Sequence, residues 1–132
     1  MLEVTVNDVH KLALSYIDEV APNYDVESYT IGWINQLLAE SLIYENNLRE
    51  HFKTKQLEEP PLMKEMIDVI PYDWRITRNC LPNGLASLYF LNDDDKYLHN
   101  IYRDRWTNGL QEISIAVVHP IQNDYDGGGD TW

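Results

Sequence analysis

Residues 72–95 read YDWRITRNCLPNGLASLYFLNDDD, and this segment predicts the centre of a helical protein. Its apolar residues are too many for one narrow helical stripe, so this helix should be buried on nearly all sides. Pro82 and Gly84 interrupt the pattern, but the apolar spacing continues across them, which favours a kink over two separate elements. The apolar residues are Trp74, Ile76, Leu81, Leu85, Leu88, Tyr89 and Leu91.

The run Asn92–Asp95 is predicted to end this helix and to cap the next one. After it, apolar residues recur at intervals of three and four from Leu98 to Ile113, which is the spacing of one helical face. The pair Asn108–Gly109 could end that helix early. Because the register continues beyond it, we expect the helix to stop near Glu112.

A first helix is predicted near the start of the chain. Thr5 and Asp8 form a capping-box pattern in front of a segment with helical periodicity. Pro22 cannot continue a helix, so the segment is expected to be helical over about residues 7–20.

A longer second helix is predicted to begin at a cap among residues 23–25 and to reach Arg49 or Phe52. Gly32 lies inside it and lowers helix propensity, which suggests a close contact at that position. The segment Leu62–Ile70 follows Pro60 and Pro61 and remains ambiguous, since its apolar spacing allows a short helix.

The predicted fold is therefore all-α, a small bundle of about four helices with a kinked central helix over residues 1–113. Residues 114–118 are apolar and mostly β-branched, which predicts a strand-like arm. Residues 119–132 are rich in Asp and Gly and are predicted to form a flexible acidic tail. The arm and the tail make up the second unit, residues 114–132.

Composition limits the class of protein. The 132 residues fit one domain, and 10 Lys and Arg against 22 Asp and Glu give a net charge of −12, which argues against a nucleic-acid-binding protein. The single cysteine, Cys80, rules out an internal disulfide and fits a reducing compartment. No membrane-spanning or secretory segment is expected.

Catalytic and metal sites find little support. Asp95 and His99 are four residues apart, but a helix cap and a surface histidine explain them better than half a metal site. Negative charge at a helix N-terminus likewise explains the run from Asp93 to Asp95 better than a cation site or an acid–base pair. Cys80 is predicted to be buried and inert. We therefore expect no enzyme activity, no cofactor and no metal.

Aromatic residues indicate contacts with other proteins. The chain has four Trp and nine Tyr but only two Phe, and Trp and Tyr suit positions with one apolar and one polar side. Trp132 follows a Gly-rich segment and is predicted to insert into a partner. The predicted strand could pair with a neighbouring subunit. The candidate partner-binding residues are Ile115, Val117, Val118 and Trp132.

Three patterns together resemble a family of tailed-bacteriophage proteins. The first is a Cys-Leu-Pro-x-Gly-Leu-Ala core at residues 80–86, and the second is the aspartate run at Asp93, Asp94 and Asp95, followed by a helix with Tyr102 and Trp106. The third is IxxINQxLAE at residues 31–40. Cys80 stands where the family has Ala, and Asn83 stands where an aromatic is common. The motif residues are Leu81, Pro82, Gly84, Leu85, Asp93, Asp94 and Asp95.

The resemblance implies a head-tail connector, also called an adaptor or head-completion protein. Such a protein would be a virion structural component of the neck, assembled in the cytoplasm of the bacterial host as a ring on the portal. The implied partners are further copies of the chain, the portal protein and a stopper or other neck protein. DNA would pass through the ring without sequence-specific binding. An alternative is a small acidic prophage regulator or inhibitor, of the DNA-mimic type, that binds a basic protein.

Overall fold

The computed structural model describes residues 3–17 and 27–118, without the side chains of residues 27–28 and 115–118. The described chain is helical, which confirms the predicted all-α class. Five helical segments are present, and they become four when the two halves of the bent central helix are counted together. The segments are α1 (Val6–Ile17), α2 (Glu27–His51), α3 (Trp74–Asn79), α4 (Leu81–Asn92) and α5 (Lys96–Val118).

The capping box at the start of α1 is confirmed. The Thr5 backbone N–H donates to Asp8 Oδ2 at 3.0 Å, and the Asp8 N–H donates to Thr5 Oγ1 at 3.1 Å. These two bonds satisfy N–H groups that have no partner inside the helix. The helix buries one face, formed by Val6, Val9 and Ala13. The predicted end near residue 20 and the predicted caps of α2 lie outside the described residues.

The central helix is bent, as predicted, but the bend lies at Cys80 rather than at Pro82 or Gly84. The Cys80 N–H still donates to Ile76 O at 3.1 Å, so α3 is closed by a regular helical bond. Pro82 has no N–H to donate and falls in the first turn of α4, where a missing donor costs nothing. The proline therefore starts a new helix two residues after the break.

Helix α4 is the centre of the bundle, because nine of its residues, from Leu81 to Phe90, are buried. It packs against α1, α2 and α5. A buried polar contact ties three of these helices together, since Tyr89 OH lies 2.6 Å from His10 Nδ1 and 2.7 Å from Thr30 Oγ1. Buried polar groups need such partners. The predicted central position of this helix is confirmed.

The aspartate run forms the turn between α4 and α5. Asp94 has a left-handed backbone with φ 63°, and its N–H donates to Leu91 O while the Asp95 N–H donates to Phe90 O. This pair of bonds is the Schellman arrangement that closes a helix. Asp95 Oδ1 then accepts from the Leu98 N–H at 3.1 Å and caps α5. The predicted stop-and-cap role is confirmed.

The predicted strand-like arm is wrong. Helix α5 does not stop near Glu112 but continues through residues 114–118 to Val118. A strand needs a partner for its backbone groups, and none of the described residues forms a strand beside this segment. An existing helix gains one hydrogen bond for each added residue, and this outweighs the weak local preference of β-branched residues. The boundary predicted at residue 113 therefore falls inside a helix.

The connector between α2 and α3, residues 52–73, contains no α-helix, which resolves the ambiguity over Leu62–Ile70. Two α2 side chains hold its backbone. Asn35 donates to Met63 O at 3.0 Å and accepts from Met63 N at 2.7 Å, and Asn46 makes the same pair of bonds to Leu57. The connector also pairs with the chain before α1, through an antiparallel bridge between Thr5 and Val69.

Candidate protein-interaction site

The motif residues Leu81, Pro82, Gly84 and Leu85 are all buried and form part of the core. Gly84 is required by a close approach, because a Cβ there would lie 2.9 Å from the Trp106 ring and 3.1 Å from Leu37 Cδ2. The close contact predicted at Gly32 is wrong, since a Cβ at that position would meet nothing within 4 Å.

Trp106 joins the three motif regions. Its ring is buried against Gly84, and its Nε1–H donates to Glu40 Oε1 at 3.3 Å. Arg103 Nη1 reaches the same carboxylate oxygen at 3.1 Å. Glu40 ends the IxxINQxLAE pattern, so all three motifs meet where α2, α4 and α5 pack. Parts of all three sequence patterns thus lie in the core of the fold.

Asp95 and His99, for which the sequence favoured a helix cap and a surface histidine, each make a contact within the fold. His99 is half-buried rather than at the surface as expected, and its Nδ1 lies 2.7 Å from the Ser87 backbone carbonyl. Asp95 is committed to capping α5. Among residues 3–17 and 27–118, no group of three His, Cys, Asp or Glu residues could hold a metal ion.

Cys80 is buried between α3 and α4, close to Gly109 of α5. Burial raises the pKa of its thiol from 9.0 to about 11, and the negative charge of Glu112 adds to this effect. A thiol with a raised pKa is a poor nucleophile at neutral pH. The geometry therefore agrees with the predicted inert role.

The raised pKa of Cys80 predicts a loss of stability at alkaline pH. Below pH 9.0, the pKa of the unfolded state, the Cys80 thiol is protonated in both states and its full contribution to stability is present. Between pH 9.0 and about 11 the thiol ionises more readily in the unfolded chain, so this contribution is lost as the pH rises. We expect Cys80→Ala to remove about 2 kcal/mol of the decline in unfolding free energy between pH 9 and 11. Urea unfolding across this range measures the difference, and parallel declines in both proteins would contradict the prediction.

The predicted partner-binding residues remain untested. Ile115, Val117 and Val118 lie in the last turns of α5, where the side chains are not described, and Trp132 lies outside the described residues. The described part of the chain offers a different surface, a cleft between the end of α2, the connector and α3.

This cleft has a volume of about 1030 Å³. Three large apolar side chains on its walls are exposed to solvent, namely Phe52 at 47%, Trp74 at 43% and Val69 at 43%. The sequence pattern counted Trp74 as a core residue of the central helix, and this assignment is wrong. The bend at Cys80 separates α3 from the largely buried α4, so that one face of α3 stays at the surface.

Two arginines on α3 give the cleft its polar chemistry. The Arg75 guanidinium carbon lies 5.2 Å from the centre of the Phe52 ring and 5.0 Å from that of Trp74, within cation–π range. Asp73 caps α3 and holds Arg75 through two contacts of 2.9 Å. Arg78 is exposed on the same helix and has no ion-pair partner among the described residues.

The buried carboxylate of Glu45 joins two of the elements that line the cleft. Glu45 accepts from Arg49 Nε at 2.7 Å and from the Asp73 backbone N–H at 2.8 Å, which joins α2 to the start of α3. Arg49 also donates to the carbonyls of Lys55 and Pro71. Burial raises the pKa of Glu45, and the bonds from Asp73 and Arg49 oppose this shift. The walls of the cleft are thus held by long-range polar contacts.

Comparisons of this chain with protein-family models, with curated proteins and with solved structures found no match. Within the described residues, none of the helices combines the length and the apolar character that crossing a bilayer requires.

Proposed function

We propose that this chain is a virion structural protein, a phage or prophage head-tail connector that assembles as a ring on the portal. The proposal starts from the resemblance of residues 31–113 to a family of tailed-phage proteins. In the neck, the ring would complete the head and retain or pass the DNA. Its partners would be neighbouring copies, the portal protein and a stopper or other neck protein.

The observation that carries an assembly role is the exposed cleft with Trp74, Phe52 and Arg75. Trp, Tyr and Arg are the residues that contribute most to binding energy at protein interfaces, and solvent-exposed clusters of them are uncommon on proteins without partners. Here an arginine is already ordered between two aromatic rings. A partner would therefore meet a surface that loses little side-chain entropy on binding.

The net charge of −12 agrees with a channel that DNA passes through. An acidic wall repels phosphates, which favours sliding over sequence-specific binding. Ile115, Val117 and Val118 in the last turns of α5 remain proposed contacts to a neighbouring copy. Trp132 remains a proposed contact to the portal.

The proposal is tested in virions. Particles of the phage that encodes this chain are purified, and peptide mass spectrometry counts its copies against the major capsid protein. We expect a ring-like number, on the order of ten copies. In complemented particles, Trp74→Ala should lower the copy number at least about tenfold, because a central aromatic is removed from the interface.

Tyr97→Ala is the matched control. Tyr97 is 75% exposed at the start of α5, away from the cleft, so its removal should leave the copy number unchanged. Thermal unfolding of both variants checks that each is folded. Absence of the wild-type chain from mature particles would overturn the connector proposal and favour the acidic regulator, which should then co-purify with a basic protein partner.

A further inference from the structure

Helix α5 ends at the same end of the bundle as the cleft. Helix α2 runs antiparallel to α4, since Thr30 contacts Tyr89 and Leu37 lies beside Gly84. Helix α5 also runs antiparallel to α4, since Trp106 lies beside Gly84 and Gly109 contacts Cys80, so α5 and α2 run in the same direction. The end of α2 contributes Leu48, Arg49 and Phe52 to the cleft. Val118 follows Gly109 by nine residues, about 14 Å along the helix axis. The chain therefore leaves α5 at the end of the bundle where the cleft lies.

The cleft carries as many basic as acidic residues, so it does not repel an acidic segment as the strongly acidic chain does on average. Five of the ten Lys and Arg residues line it or directly adjoin a lining residue, compared with five of the 22 acids. The cleft is thus neutral on a chain of net charge −12. The basic residues are Arg49, Lys53, Lys55, Arg75 and Arg78, and the acids are Glu3, Glu45, Glu50, Asp68 and Asp73.

Three of those five acids already have partners. Glu45 pairs with Arg49, and Asp73 pairs with Arg75. Asp68 accepts from two backbone N–H groups of the connector, which lowers the pKa of its carboxyl. Arg78 has no such partner among the described residues, so an incoming carboxylate would find its charge available.

The sequence beyond α5 has the chemistry that complements this surface. Residues 119–132 read HPIQNDYDGGGDTW and contain three Asp, one Tyr, one Trp and no Lys or Arg. Carboxylates suit Arg78 and Arg75, and aromatic rings suit Trp74 and Phe52. Fourteen residues reach at most about 50 Å when extended, which is ample for a cleft beside the end of α5.

We propose that residues 119–132 fold back onto the cleft of their own copy in the free chain and cover Trp74 and Arg78. Tethering favours this occupant over any other, because a segment joined by a short linker has an effective concentration in the millimolar range. The segment and a binding partner would then compete for one surface. This inference concerns the free chain and holds whether or not the chain is a phage connector.

Photo-crosslinking of the full-length chain tests the proposal. Phe52 is replaced by p-benzoylphenylalanine, which places the reactive group on the wall of the cleft. The sample is an equal mixture of ¹⁴N- and ¹⁵N-labelled protein, irradiated at low micromolar concentration. We expect crosslinked peptides from residues 119–132, in which both parts carry the same isotope.

Charge variants identify the interaction. Arg78→Glu is exposed and should lower the crosslink yield about fivefold, since it replaces an attraction by a repulsion. Lys96→Glu makes the same charge change at the opposite end of the bundle and should leave the yield unchanged. Asp124→Lys combined with Asp126→Lys should restore the yield in the Arg78→Glu protein.

Three outcomes would overturn the proposal. These are crosslinks that do not reach residues 119–132, equal losses in Arg78→Glu and Lys96→Glu, and crosslinks that join the two isotopes. The last outcome would assign the segment to the cleft of a second copy.

Discussion

Gly84→Val is expected to lower the free energy of unfolding by at least about 3 kcal/mol, which is the largest effect of any single substitution considered for this protein. Even a Cβ at this position would lie 2.9 Å from the Trp106 ring and 3.1 Å from Leu37. Trp106 cannot move aside easily, because its ring is buried and its Nε1–H is bonded to Glu40. Urea unfolding followed by circular dichroism measures the change.

Gly32→Val is the matched control. Gly32 also lies inside a helix, but it is exposed and a Cβ would meet nothing within 4 Å. Its unfolding free energy should stay within about 0.5 kcal/mol of the wild-type value, because helix propensity improves only slightly from Gly to Val. Equal losses in both variants would show that backbone freedom, and not the contact with Trp106, explains the glycine at position 84.

Glu45→Ala is expected to lower the free energy of unfolding by about 3 kcal/mol. The substitution leaves the Arg49 guanidinium without its carboxylate and the Asp73 N–H without its acceptor, in a place that water reaches poorly. Because Asp73 caps α3, the loss should also loosen the wall of the cleft. Chemical denaturation measures the stability, and hydrogen exchange of residues 73–79 measures the local effect.

Two further variants distinguish the loss of the Glu45–Arg49 pair from the loss of a carboxylate in general. Glu50→Ala removes an exposed carboxylate from the same helix and should change stability by less than about 0.5 kcal/mol. Glu45→Leu combined with Arg49→Met removes both charges and should cost less than Glu45→Ala alone. If the double substitution costs more than the single one, the carboxylate does not act through its pairing with Arg49.

Local patterns in the sequence predicted most of the helices. The capping box at Thr5 and Asp8 and the turn at Asp93–Asp95 are formed by residues within five positions of each other, so their chemistry is visible in the sequence. The strand predicted for residues 114–118 failed for the opposite reason. Its β-branched residues favour a strand locally, but the helix that precedes them continues and supplies the backbone bonds.

The cleft could not be found from the sequence alone. Its support depends on contacts such as Glu45 with Asp73 and Arg49 with Pro71, which join residues 28 and 22 positions apart. Trp74 fits the apolar pattern of the central helix, and only the bend at Cys80 places it at the surface. The segment WRITR at residues 74–78, with one Trp and two Arg, is a local sign of this surface that the sequence patterns considered above did not use.

The connector between α2 and α3 is held mainly through its backbone. Asn35 and Asn46 bond to the N–H and C=O groups of Met63 and Leu57, and any residue except proline carries both groups. Most of the connector's own side chains, including Leu62 and Ile67, are exposed. The path of the connector therefore depends on two side-chain amides of α2. The exposed side chains of the connector can change during evolution without altering this path.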